Sequence, residues 1–229
     1  FGNQYTARIP AVRARQTYVA EFIDTTIGLG TRKLCDIGAG EGQFLEIVRS
    51  EYDVTSIFGI EPSATNCRQM SEKSIPTFHG TIEDFLVDSA GSKPPFDTVT
   101  VMWTLENCRS CRAMVDAAWE LLEEGGHIIV ATGSRILVPF KKPLDYYISN
   151  YSGDTHPSRF SANSLHNLLA TSGFEEVEVN RYIDTDYLVA VYRKAKKGER
   201  VDLKKDDYHE VIDFFKRWQE ETKAHFAGK

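Results

Sequence analysis

The sequence predicts an α/β fold: a doubly wound sheet of seven strands, parallel except for an antiparallel last strand. Three observations carry this. Short apolar runs alternate with amphipathic stretches along most of the chain, which implies a parallel sheet with helices on both faces. The first apolar run passes straight into a glycine-rich loop, as strands do when they feed a ligand-binding turn. The last two apolar runs are close enough in sequence to pair antiparallel.

Each element has its own signal. Tyr5 to Gly28 reads as a helix, with Val12, Tyr18, Val19, Phe22, Ile23 and Ile27 at helical spacing and Gly28 and Gly30 as the stop. Lys33–Ile37 is a short buried strand, and Glu41–Ser50 is a helix with Phe44, Leu45 and Val48 inward. Thr55–Ile60 is a strand, and the helix Ser63–Glu72 takes Ser63 as its N-cap. A short strand at Thr77–His79, a helical turn at Ile82–Val87 and a loop to Pro95 lead to the β-branched strand Phe96–Trp103. Arg109–Leu122 is a helix stopped by Gly125 and Gly126, and His127–Thr132 is the fifth strand. After the irregular stretch 133–160 come a helix at Ser161–Ser172, strands at Glu175–Arg181 and Tyr187–Arg193, a charged linker, and an amphipathic helix Tyr208–Phe226. That last helix carries Tyr208, Val211, Phe215 and Trp218 on one stripe, a surface that allows a homodimer or a fold-back onto its own domain.

Composition narrows the function classes. A chain of 229 residues with 41% hydrophobic content supports one large domain with its own core. A net charge of -6 argues against a nucleic-acid partner, which usually meets a basic face. No apolar run is long enough to span a bilayer, and no basic start precedes an apolar stretch, so a cytoplasmic protein is expected. The four cysteines include one CxxC pair, Cys108 and Cys111, with no second pair of Cys or His at zinc spacing; reduced thiols are the simplest reading.

The residues that carry chemistry begin at Asp36-Ile37-Gly38-Ala39-Gly40-Glu41-Gly42, directly after the first strand. Glycines there let the backbone turn sharply and let a ligand come close. Gln43 stands where a dinucleotide-binding loop has its third glycine, and the carboxylate of Asp36 would repel a pyrophosphate, so a cofactor bearing an ammonium fits better. Glu61 ends the second strand, 25 residues after Asp36, where a carboxylate can accept from both hydroxyls of a ribose; a solvated turn residue before Pro62 is the alternative.

In order and spacing, Leu34–Gly42, Ile57–Ser63, His79–Phe85, Phe96–Asn107 and Leu121–His127 resemble the motifs of class I S-adenosylmethionine-dependent methyltransferases. The resemblance runs from about Arg32 to Arg193 and includes the reversed last strand. It implies S-adenosyl-L-methionine as cofactor, its methionine part held by Asp36, Gly38, Ala39, Gly40 and Gly42, and its ribose by Glu61 beside Pro62. Ile82 would pack on adenine. Thr81 stands where the family often has Asp, which leaves Glu83 as a substitute contact to the adenine amine. Trp103 and Leu105 would lie along the cofactor, and Asn107 replaces a histidine common in the family, so that base is absent.

The loop Trp103–Asn107 has no proline of the kind used for amino-nitrogen methylation, and Cys108 lacks the context of a cytosine nucleophile. Glu106 is its one acid, too few for a hard cation. Metal-independent O-methylation is therefore expected. Stretch 133–160, too long for an ordinary connection, is expected to form the cap over the acceptor. His156 is the first choice for the base, with Asp154 orienting or replacing it; packing against the next helix is the alternative role. Tyr146 and Tyr147, with Asn107 and Arg159, would meet the acceptor; the tyrosines stack on a ring or pack the cap. Arg8, Arg13 and Arg15 form a lid over an anionic acceptor or a solvated face. The run Tyr146–Phe174 resembles methyltransferases of bacterial surface polysaccharides, so a sugar or sugar-linked acceptor is expected first and a natural product or other small molecule second. A non-catalytic binding domain is the rival class. The expected organisation is a helical lid at 1–30, the methyltransferase domain at 31–195 with its cap at 133–160, and a linker and helix at 196–229.

Overall fold

The structure, a computed structural model, describes residues 10–89, 96–133, 156–180, 187–195 and 202–227. The elements run α1 (Pro10–Ile27), β1 (Lys33–Ile37), α2 (Gln43–Glu51), β2 (Ser56–Glu61), α3 (Ala64–Glu72), β3 (Thr77–His79), α4 (Ile82–Asp88), β4 (Phe96–Met102), α5 (Cys111–Leu121) and β5 (Leu122–Thr132). They continue as α6 (Ala162–Thr171), β6 (Phe174–Val179), β7 (Leu188–Lys194) and α7 (Tyr208–Ala227). One seven-stranded sheet has the order β3-β2-β1-β4-β5-β7-β6. Strands β1 to β5 pair in parallel, and β7 runs antiparallel to both β5 and β6. This is the expected fold class.

Alternation along the strands builds a core on each face, because successive strand residues point to opposite sides. Cys35, Ile37, Ile128, Val130, Leu188 and Ala190 belong to one core, with Phe85 of α4, Val115 of α5 and Leu165 of α6. Leu34, Ile129, Ala131, Val189 and Val191 belong to the other, with Ile23 of α1, Leu45 of α2 and Met70 of α3. Phe44 is 1% exposed in that second core. Phe44→Ala should cost about 3–5 kcal/mol, read as a lower denaturant midpoint with an unchanged slope.

Caps set the helix boundaries. Ser63 accepts from the Asn66 N–H, and Ser161 forms a reciprocal box with Ser164. One boundary differs from expectation. The fifth strand starts at Leu122, ahead of Gly125 and Gly126, which read as the end of a helix. The two glycines lie within that strand, beside a register shift against β4. A Cβ at Gly126 would stand 3.0 Å from the Asp97 carbonyl, so close backbone approach is what the glycine serves there.

The expected stripe of α7 is also revised. Trp218 is buried, but Tyr208 is 65% exposed and stacks on His209, while Phe214 joins Phe215 and Trp218 in an aromatic cluster. On the edge strand β6, Val177 is exposed and Val179 only partly buried. No described helix is long and apolar enough to cross a membrane.

Candidate active site

The strand order reverses between β1 and β4, and a doubly wound sheet binds ligands beyond the carboxyl ends of its strands at such a point. The glycine loop leaves β1 there. The Gly38 and Ala39 N–H groups both donate to the Ile60 carbonyl, at 2.8 and 3.2 Å, which folds the loop back over β2. Gly40 has φ +56, and a Cβ built on it meets nothing within 4 Å. Gly38, at φ +74, is the reverse case: a Cβ there would stand 2.4 Å from the Thr104 hydroxyl. Thus Gly38 is packed on the loop after β4, and Gly40 faces open space. Gly42 caps α2 in the left-handed conformation against Met70.

Glu61, at the carboxyl end of β2, is fastened to that loop. Its Oε2 accepts from the Gly40 N–H at 2.8 Å, and its Oε1 accepts from the Ser63 N–H at 2.9 Å and the Asn66 amide at 3.3 Å. An ionised carboxylate offers about four acceptor positions, so three donors orient it and leave capacity for another. Pro62 beside it is exposed, and its carbonyl meets a His79 ring nitrogen at 3.2 Å.

Asp36 lies deeper, 1% exposed. The strand register sets Asp36 beside Thr100 of β4, and the Thr100 hydroxyl donates to its Oδ1 at 2.7 Å. Burial pushes its carboxyl up to about 7, the Thr100 hydrogen bond pulls it down, and the Glu61 charge raises it further. The Thr100 partnership was not legible in the sequence, where the two residues stand 64 apart.

The residues expected on the adenine side sit at the start of α4. The Thr81 hydroxyl is 2.8 Å from an Asp84 carboxylate oxygen and accepts from the Asp84 N–H, which caps the helix. Ile82 is 2% exposed within the core of that face, and Glu83 is exposed.

The residues expected along the cofactor and near the acceptor begin on the loop after β4. Trp103 has φ +51, a strained conformation for a bulky residue. Its N–H donates to the Ala131 carbonyl at 2.7 Å, Tyr187 meets its ring edge-on at 6.0 Å, and the Arg15 guanidinium of α1 sits 4.2 Å over it. Arg13 instead pairs with Glu51 at 2.7 Å. Leu105 is fully buried, and the exposed Asn107 donates its amide to the Trp103 carbonyl at 3.0 Å. Glu106, weighed in the sequence only as a metal ligand, is fully buried. Its Oε1 accepts from the Gly133 N–H at 3.1 Å, and its Oε2 has no hydrogen-bond partner among the described residues. The Ser158 N–H donates to the Glu106 carbonyl at 3.3 Å, so the partly buried His156 lies two residues from a contact with this loop. Arg159 is exposed. Arg8, Asp154, Tyr146 and Tyr147 lie outside the described residues. Among the described residues no cluster of His, Cys, Asp or Glu could hold a metal ion.

The family model described as a methyltransferase domain matches residues 11–179, from α1 to the end of β6. The chain belongs to this methyltransferase family. S-adenosyl-L-methionine is the family's cofactor, and the open cradle at Gly40 beside the oriented Glu61 carboxylate fits its ribose and methionine parts. This methyltransferase is 31% identical over 125 residues to a ubiquinone biosynthesis O-methyltransferase of Cronobacter sakazakii, a match covering 53% of this chain and 49% of that protein. The chain thus matches about half the length of that relative. A protein of the same name from Cupriavidus pinatubonensis is 25% identical over 197 residues, 76% of this chain and 78% of its own. Among solved structures, N-methyltransferase NodS from Bradyrhizobium japonicum, in complex with S-adenosyl-L-homocysteine, superposes with a TM-score of 0.60 at 17% identity, over 85% of this chain and 93% of that one. At that identity the likeness speaks for the fold.

Proposed function

We propose that this methyltransferase moves the methyl group of S-adenosyl-L-methionine to a hydroxyl oxygen of a small molecule without a metal ion. The observation that carries the reading is the cradle formed by Gly40 and Glu61 at the point where the strand order reverses. Gly40 leaves room for the ligand, and Glu61 waits already oriented by three donors. When bound, the cofactor supplies an electrophilic methyl on a sulfonium. The chain's own task is to hold the acceptor oxygen in line and take up its proton.

His156 remains the proposed base. It supports this role by its place two residues before the Ser158 contact to the loop after β4. His156→Gln should lower kcat by about 100-fold or more while leaving S-adenosylhomocysteine binding unchanged. Single-turnover methyl transfer with calorimetry alongside checks both arms. If Glu106→Gln gives that loss and His156→Gln does not, the base is Glu106.

The names of the relatives favour the small-molecule acceptor over the sugar that the run Tyr146–Phe174 suggested. The Trp103–Tyr187 pair also suits an apolar ring bearing a hydroxyl better than a sugar. Calorimetric titration with S-adenosylhomocysteine and with NADH is the first test, and binding of the former alone is expected. Transfer of labelled methyl to phenolic compounds should follow. Transfer to sugar nucleotides alone would reverse the acceptor assignment. Cofactor binding without transfer to any hydroxyl would favour a non-catalytic binding domain.

A further inference from the structure

The site above makes no use of Cys108 and Cys111. The short 3-10 turn Leu105–Asn107 hands the chain to Cys108, and Cys111 is the first residue of α5, which Ser110 caps by accepting from the Ala113 N–H. This arrangement brings the two Sγ atoms to 3.7 Å. Both thiols also converge on one acceptor, the Leu105 carbonyl, at 3.1 Å from Cys108 and 3.4 Å from Cys111. The Cys111 Sγ is 3.5 Å from the Ser158 hydroxyl as well. Both cysteines are partly exposed, whereas Cys35 is buried.

A disulfide bond is ~2.05 Å long, so each sulfur need move by less than about 1 Å to form one. A CxxC pair at a helix N-terminus is also the placement found in dithiols that exchange with small disulfides, because that end of a helix favours negative charge. We propose that Cys108 and Cys111 are a reversible dithiol–disulfide pair, oxidised by a low-molecular-weight disulfide such as oxidised glutathione, and that oxidation unfastens the loop after β4.

The Cys111 thiolate attacks one sulfur of the reagent, forming a mixed disulfide and releasing one thiolate. The Cys108 thiolate then attacks the Cys111 sulfur, closing the intramolecular disulfide and releasing the second. Two protein thiols lose two electrons, the reagent gains them, and the two thiol protons end on the two released thiols. Cys111 is the thiol that reacts first because it opens α5, where the helix N-terminus favours a thiolate. Burial, then the charge and hydrogen bond of Cys111, push the Cys108 thiol up to about 12. Once Cys111 is in a mixed disulfide its thiolate charge is gone, and one cause of that elevation goes with it.

The consequence is local. A disulfide has no S–H, so the Leu105 carbonyl loses both thiol donors and the Ser158 hydroxyl loses Cys111 as a donor. Those bonds tie the turn Leu105–Asn107 to α5 and to the returning chain at Ser158. This holds whether or not the chain transfers methyl groups, and so does its test.

The full chain is equilibrated with mixtures of reduced and oxidised glutathione, quenched with an alkylating agent, and mapped by peptide mass. The expected product is a Cys108–Cys111 peptide lacking two hydrogens, restored by dithiothreitol, with Cys35 and Cys67 alkylated after unfolding. Cys108→Ser should stop at a glutathione adduct on Cys111. Free thiols at both positions, or adducts without an intramolecular bond, would overturn the pair. In the oxidised protein, residue-resolved amide exchange at Asn107 and Ser158 should quicken, by up to about tenfold for the loss of a hydrogen bond of ordinary strength. Unchanged exchange there would overturn the coupling to the loop.

Discussion

Asp36→Asn should make the protein more stable at pH 8 and no more stable at pH 4, while weakening its hold on the cofactor. The carboxyl of Asp36 is pushed from an ordinary 3.8 up to about 7, first by burial. The folded chain therefore keeps a proton that the unfolded chain gives up near pH 4. The stability this proton represents is complete below the unfolded value and drains away as pH rises through about 7. Asparagine never carries the charge, and its side-chain oxygen can still accept from the Thr100 hydroxyl. With each tenfold in protonation worth about 1.4 kcal/mol, the gain at pH 8 has a ceiling of about 4 kcal/mol. For a chain of this size that ceiling is a rise in Tm of about 8–16 °C.

The same burial sets the cost for binding. A cofactor carrying an ammonium favours the ionised carboxylate, so below about pH 7 wild-type protein must first release the proton. Affinity for S-adenosylhomocysteine should fall by up to about tenfold per pH unit below that point, and the Asp36→Asn protein should bind weakly with no such slope. Thermal melts and calorimetry across pH 4–8 read both effects. A destabilised variant at pH 8, or one that binds as the wild type does, would mean that Asp36 is a paired, ionised structural residue.

The parts of this site that were legible in the sequence are those fixed by local chemistry. Ser63 and Ser161 announce helix starts because a cap needs only a short oxygen-bearing side chain and the N–H groups that follow it. The glycine loop and Glu61 are legible because both sit at strand ends, where the alternation of apolar runs locates them. What escaped depends on neighbours distant in the chain. Asp36 acquires its environment from Thr100 on β4, Glu106 from Gly133 at the end of β5, and Trp103 from Arg15 on α1. No period in the sequence brings those pairs together; the sheet order does. Gly125 and Gly126 misled because a glycine pair ends a helix and permits close strand contact equally well, and only the approach of Asp97 decides between them. The CxxC spacing was visible, but a shared carbonyl acceptor was not.

Gly40→Val should abolish cofactor binding in a protein that still folds, whereas Gly38→Ala should damage the fold itself. The two glycines are two residues apart and both have positive φ, so a sequence comparison would treat them alike. Their surroundings differ. At Gly38 the added methyl would meet the Thr104 side chain at three atoms, the farthest 3.0 Å away, and Thr104 reaches the Gly38 and Met102 carbonyls from that position. Relief requires moving the loop after β4, and overpacking of this kind costs about 1–3 kcal/mol on top of the strain of the left-handed backbone. At Gly40 the added side chain enters open space, so the penalty is the backbone strain alone, of order 1–3 kcal/mol. The valine methyls, however, stand in the cradle beside Glu61. Binding should then fall below detection in calorimetry, although the protein melts cooperatively and only a few degrees early. Gly40→Ala, with one methyl, should fall between. If Gly40→Val binds S-adenosylhomocysteine as tightly as the wild type, the ligand does not lie over this loop, and the cradle formed with Glu61 is not the cofactor site.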